Sequence, residues 1–170
     1  FNRGITSAEV AQAYLGTESP TPTEPFLMLG MRDAIAIIEE AVQSGENITI
    51  YGDYDTDGVT ASSLLFEFFS QLGHEPRVYI PNRFDEGYGL NLDAIDLLSA
   101  EGTKLLITVD CGIRSLQEVQ RAKELGMRVI VTDHHQPGDE LPEADAVINP
   151  HQPADPYPYK ELAGVGLAYK

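Results

Sequence analysis

Apolar residues in this chain come in short dense runs separated by longer stretches of mixed character. Ile48-Thr49-Ile50-Tyr51, Lys104–Val109 and Arg128–Val131 are nearly continuous apolar runs, too short for helices and suited to strands buried on both faces. Arg77–Ile80 and Ala146–Ile148 read as two further short strands. The stretches around them repeat with helical spacing. Leu29–Gln43 carries Ala34, Ile35, Ile38, Ala41 and Val42 on one face, and Gly45 ends it. Val59–Leu72, Asn91–Ala100 (capped by Asn91) and Ser115–Leu125 follow, each between two strands. At the start, Thr6–Leu15 reads as a short helix capped by Thr6 or Ser7, and Gly16–Pro25, with Pro20, Pro22 and Pro25, as an exposed connector. A last helix opens after Gly164-Val165-Gly166.

Strands alternating with helices predict an α/β fold: a parallel β-sheet with helices on both faces, Rossmann-like in architecture. The expected division is an N-terminal helical segment over residues 1–45 and one α/β domain over residues 46–170. In such sheets ligands sit beyond the carboxyl ends of the strands. Those ends are loaded here. The first strand runs into Gly52-Asp53-Tyr54-Asp55-Thr56-Asp57-Gly58, the third into Asp110-Cys111-Gly112, and the fourth into Thr132-Asp133-His134-His135. Five aspartates and two histidines thus converge on one edge.

Composition limits what that edge does. With 42% hydrophobic and 22% charged residues, the 170-residue chain is globular in character. No apolar run approaches the roughly 20 residues of a membrane helix. Its one cysteine, Cys111, excludes an internal disulfide and fits a reducing cytoplasm. A net charge of −16 argues against nucleic-acid binding, unless bound cations neutralise the carboxylates and basic surface lies elsewhere in a longer protein.

The acidic loop admits several readings. In an extended segment Asp53, Asp55 and Asp57 point the same way and repel one another unless cations lie between them. A solvated acidic turn is the plainest reading. An EF-hand fails, because its twelfth position would be Leu64 rather than glutamate and a strand precedes the loop. Asp55-Thr56-Asp57-Gly58-Val59 also resembles the opening motif of haloacid-dehalogenase-like phosphatases, with Asp55 as nucleophile. That family calls for Ser/Thr and Lys at later strand ends, where this chain has Asp110 and Asp133-His134-His135. The remaining reading is a site for two divalent cations. The tandem His134-His135 favours it, since imidazole with carboxylate suits Mn²⁺, Fe²⁺, Co²⁺ or Zn²⁺ better than Ca²⁺. A structural zinc site would want more thiolates than Cys111 alone.

Taken in order, Asp53-Tyr-Asp55-Thr-Asp57-Gly58, Val109-Asp110-Cys111-Gly112 and Asp133-His134-His135 resemble the DHH phosphoesterase superfamily. Ile80–Asn91, Asn149-Pro150 and Leu162–Gly166 resemble its RecJ-type branch in particular. The resemblance implies that Asp55, Asp57, Asp110 and His134 ligate metal, with Asp110 as the bridge and Asp53 as a further, less direct ligand. It implies that His135 contacts the scissile phosphate and that Asp133 holds a histidine in the required tautomer. The activity implied is metal-assisted phosphodiester hydrolysis with two Mn²⁺ or Mg²⁺ ions, as a 5′-to-3′ exonuclease on single-stranded DNA in repair and recombination. Single-strand-binding protein or helicase partners follow by the same analogy. A further aspartate ligand and closing domains are expected in a longer parent, so the 170 residues alone are expected to have little activity. Three rival readings are a DHH hydrolase of short oligonucleotides or cyclic dinucleotides, the dehalogenase-like phosphatase, and a non-catalytic scaffold of the same fold.

Two residues stand out as substrate contacts. Arg83, beyond the second strand, suits a bidentate phosphate contact, or an ion pair with Asp85 or Glu86. Tyr88, between Gly87 and Gly89, suits stacking on a base, or filling its own loop.

Overall fold

A computed structural model describes residues 5–15, 24–82, 84 and 87–170. Its centre is a five-stranded, wholly parallel sheet formed by β1 (Ile48–Gly52), β2 (Arg77–Tyr79), β3 (Leu105–Val109), β4 (Arg128–Thr132) and β5 (Ala146–Ile148). The strand order is β2-β1-β3-β4-β5. Ile50 pairs with Ile107, and Ile107 with Ile130, so the three apolar runs read from the sequence lie side by side.

Alternation along each strand builds two cores. Ile48, Ile50, Leu105, Ile107 and Ile130 face one side, where α2 (Met31–Gln43), α3 (Thr56–Gln71) and α6 (Gly164–Tyr169) cover them. Tyr51, Leu106, Val129 and Val131 face the other, under α4 (Leu92–Ala100) and α5 (Leu116–Glu124). Burying one such aliphatic side chain contributes about 1.5–3 kcal/mol. A short α1 (Ala8–Leu15) precedes them, with Ser7 Oγ accepting from the Val10 amide.

The helix after β1 starts three residues earlier than its apolar periodicity predicts, at Thr56 rather than Val59. Asp55 is its cap: the carboxylate Oδ1 accepts from the amides of Asp57, at 2.8 Å, and Gly58, at 3.1 Å. Asp53, Asp55 and Asp57 therefore do not alternate along one extended segment. Asp53 directly follows the strand, Asp55 caps the helix and Asp57 lies in its first turn.

Order and crossover place the site. From β1 the chain moves outward to β2, then returns past β1 to β3, so neighbouring crossovers diverge between β1 and β3. Loops leaving strands at such a switch point separate and leave a crevice.

Candidate metal centre

The crevice is walled by the loops that leave β1, β3 and β4. Asp53, Asp55 and Asp110 each offer a carboxylate oxygen within 4.8 Å of one another. Asp110, His134 and His135 form a second such group, so Asp110 belongs to both. His134 Nε2 lies 3.0 Å from Asp110 Oδ1 and 3.5 Å from Asp57 Oδ2.

Backbone geometry aims Asp110 into the crevice. Its φ is +61°, a region that aspartate tolerates better than most residues. Its amide still donates to Thr132 O at 3.1 Å, so the turn leaves the sheet while tied to β4. The neighbouring Cys111 is fully buried, with its thiol against Tyr51 O and its pKa pushed up by burial. It packs rather than reacts.

Two features of Asp53 and Asp110 point to cations. They are only 3% and 2% exposed. Among the described residues Asp53 Oδ1, although buried, has no hydrogen-bond partner, and buried Asp110 Oδ1 faces His134 Nε2 without a well-aligned hydrogen bond. Leaving such an oxygen without a partner costs about 1–3 kcal/mol, and more for a charged group. Burial, with the charges of Asp57 and Asp55, pushes Asp110 up to about 7. Burial foremost also raises Asp53. Carboxylates desolvated and crowded in this way are stabilised as anions by a divalent ion. The donor set, carboxylate oxygen plus imidazole nitrogen, fits Mn²⁺ and tolerates Mg²⁺ on its oxygen side.

Asp57 is held differently. Its Oδ2 accepts from the Gly164 amide and its Oδ1 from the Val165 amide, both at 2.7 Å. The first turn of α6 thus orients this carboxylate beside His134. A side chain at Gly164 would put a Cβ 2.8 Å from Asp110 Cβ, so only glycine lets α6 approach both aspartates. Gly58 has a similar reason: a Cβ there would lie 2.4 Å from Asp53 O.

Asp133, 1% exposed, organises the histidine loop. Its Oδ1 accepts from the His135 amide at 3.0 Å and faces His135 Nδ1 at 2.7 Å. Its Oδ2 accepts from the Ile113 amide at 3.0 Å, linking the β4 loop to the β3 loop. With its proton on Nδ1, the neutral His135 ring keeps a lone pair on Nε2. Buried Asn149 supports the same loop by donating to His135 O at 2.9 Å.

The Tyr88 hydroxyl lies 3.4 Å from both Asp110 O and His135 Nδ1, with the ring edge-on to His135 and to Tyr54. Burial, with the charge of Asp133, raises its pKa. The residue is 55% exposed, so it meets the metal centre through its hydroxyl while part of it remains open. Arg83, the other predicted substrate contact, lies outside the described residues.

The structure therefore brings Asp53, Asp55, Asp57, Asp110, Asp133, His134, His135 and Tyr88 to one crevice. Sequence reasoning did not single out Gly164, Asn149 or the Ile113 amide as supports. The family-like segments Asn149-Pro150 and Leu162–Gly166 mark two of these positions without showing what they hold.

Known proteins resemble this chain in sequence and in fold. The single-stranded-DNA-specific exonuclease RecJ of Bacillus subtilis (strain 168) is 48% identical over 168 residues, covering 99% of this chain and 21% of the relative. RecJ of Escherichia coli (strain K12) is 41% identical over 170 residues, covering 99% and 29%. A crystal structure of exonuclease RecJ bound to manganese superposes with a TM-score of 0.79 at 36% identity, covering 87% of this chain and 37% of that one. The chain thus spans between a fifth and a third of the length of these curated relatives. Residues 47–170 match the DHH family, N-terminal domain, and the chain belongs to that family.

Proposed function

We propose that the protein to which this chain belongs is a metal-dependent exonuclease that hydrolyses single-stranded DNA from its 5′ end. The observation that carries the reading is the convergence of two buried carboxylates with an imidazole: Asp53 Oδ1 has no hydrogen-bond partner among the described residues, and Asp110 Oδ1 lies 3.0 Å from His134 Nε2. The similarity to exonucleases specific for single-stranded DNA supplies the substrate.

In this reading Asp53, Asp55, Asp57, Asp110 and His134 would hold two divalent cations, Mn²⁺ or Mg²⁺, and Asp110, which belongs to both donor groups, would serve both. Bound there, the ions supply Lewis acidity toward the phosphoryl oxygens and lower the pKa of water. The chain's own groups do the rest. The α6 amides keep Asp57 turned toward His134. Asp133 holds the His135 ring and its Nδ1 proton, so that the ring faces the scissile phosphate in a fixed orientation. Tyr88 stacks on a base with the open side of its ring. Single-strand-binding protein or helicase partners and a cytoplasmic setting complete the proposal. They rest on the resemblance and on the single cysteine; among the described residues, no helix is long and apolar enough to cross a membrane.

The test is digestion of 5′-labelled and 3′-labelled single strands by the whole protein in Mn²⁺, with Asp110→Asn beside it. Release of the 5′ label first, with the activity lost in the variant, is expected. Turnover of dinucleotides with no attack on long strands would replace this substrate with a short one.

A further inference from the structure

We propose that Arg114, Gln136 and His151 form a phosphate-binding ridge that holds the DNA strand beyond the scissile bond. The inference rests on the function proposed above and adds the place where the strand leaves the metal centre.

The ridge follows the sheet. Arg114 stands four residues after Asp110 in the loop from β3. Gln136 directly follows His135 in the loop from β4, and His151 lies in the loop from β5. Because β3, β4 and β5 are neighbours, the three residues cross the carboxyl edge in order, away from the acidic loop on β1.

Hydrogen bonds join them. Arg114 Nε donates to Gln136 O at 2.8 Å. Gln136 Nε2 lies 3.1 Å from His151 Nδ1, and as an amide nitrogen it donates. His151 Nδ1 then accepts, which leaves its ring proton on Nε2 as a donor. The His151 amide donates to Asn149 Oδ1 at 2.8 Å, and Asn149 Nδ2 donates to His135 O. One buried asparagine thus ties the ridge to the catalytic histidine's backbone.

The chemistry of the ridge is that of an anion site. In a chain of net charge −16, Arg77, Arg121 and Arg128 are each ion-paired with glutamate or aspartate. Arg32 lies over the Phe26 ring. Arg114 is exposed, and among the described residues no carboxylate lies within ion-pair distance of it. The Gln136 carbonyl occupies one of its five N–H donors and fixes the plane of the guanidinium. A fork held this way suits phosphate oxygens. Donors strung along an edge suit a chain of phosphates better than a single one. What sets Arg114 apart from Lys104 is its place: it stands on the carboxyl edge that carries the metal centre, where a bound strand would supply the anion.

The test uses the whole protein and a fluorescent oligodeoxythymidylate, with Ca²⁺ in place of Mn²⁺, and reads anisotropy across a salt series. Arg114→Ala is expected to weaken binding about tenfold and to reduce the magnitude of the salt slope by about 0.7, the value of one single-strand phosphate contact. His151→Ala is expected to weaken it less, and Arg114→Lys to restore most of the slope. Lys104→Ala removes an equal charge at the opposite edge of the sheet and is expected to change neither reading. Wild-type affinity and slope in both Arg114→Ala and His151→Ala would overturn the ridge, while cleavage in Mn²⁺ would leave the proposed function standing. Slope loss in Arg114→Ala with no cleavage by the wild type would uphold the ridge and overturn the proposed activity. A wild type that binds no strand at low salt would overturn both.

Discussion

The Gly164 amide donates to Asp57 Oδ2 at 2.7 Å, across 107 residues of chain. One glycine at the start of α6 therefore sets a carboxylate at the start of α3. Gly164→Ala would bring a Cβ within 2.8 Å of Asp110 Cβ and 3.0 Å of Asp110 Cγ. Either α6 or the Asp110 turn must move. The expected cost is about 1–3 kcal/mol in stability, with weaker Mn²⁺ binding. Thermal denaturation and calorimetric Mn²⁺ titration read the two. Gly138→Ala, whose Cβ would lie 3.8 Å from its nearest neighbour, is expected to change neither.

Asp133 is an acceptor on both oxygens, facing the His135 amide, His135 Nδ1 and the Ile113 amide. Asn at this position turns one acceptor into a donor against a buried N–H. Asp133→Asn is expected to lose about 10–100-fold in activity and about 1–3 kcal/mol in stability. Steady-state kinetics and chemical denaturation check this. Full activity in the variant would mean that His135 does not depend on its partner.

Asp110 gives the metal-free chain a pH dependence. Its carboxyl is raised from the ordinary 3.8 to about 7. Through that window the folded chain keeps a proton that the unfolded chain has released, so this group's contribution to stability falls as pH rises from about 4 to about 7 and levels off above. In chelator, the wild type is expected to lose stability over this range relative to Asp110→Asn. At pH 8 added Mn²⁺ is expected to raise the melting temperature of the wild type, by the equivalent of about 2.7 kcal/mol at a hundredfold excess over Kd. The variant is expected to gain little. Parallel pH curves for the two proteins would contradict the assignment.

Tyr88 separates ring from hydroxyl. The hydroxyl contacts to Asp110 O and His135 Nδ1 are long, at 3.4 Å, and the ring has an open side. Tyr88→Phe is expected to keep strand affinity, whereas Tyr88→Ala is expected to lose about 1–3 kcal/mol of base stacking. Anisotropy titration of both variants measures it.

Much of this was legible in the sequence, and the exceptions have physical causes. The apolar runs at Ile48, Lys104 and Arg128 announced buried parallel strands, because only strands covered on both faces carry so little polarity. Aspartates and histidines following those runs had to meet at one edge. Apolar periodicity does not reach the start of α3 because Thr56-Asp57-Gly58 carries none; Asp55 as a capping residue, with an acid in the first turn, is the signal that marks it. Contacts such as Asp57 to α6, or Asn149 to His135 O, join residues far apart in sequence. No local pattern encodes them, since they depend on how the elements pack.

Anomalous diffraction from a crystal grown in Mn²⁺ tests the metal centre most directly. The account predicts two manganese peaks that share Asp110, one among Asp53, Asp55 and Asp110 and one at His134. Manganese bound elsewhere, with Asp53 and Asp110 still unligated and His134 still against Asp110, would contradict it.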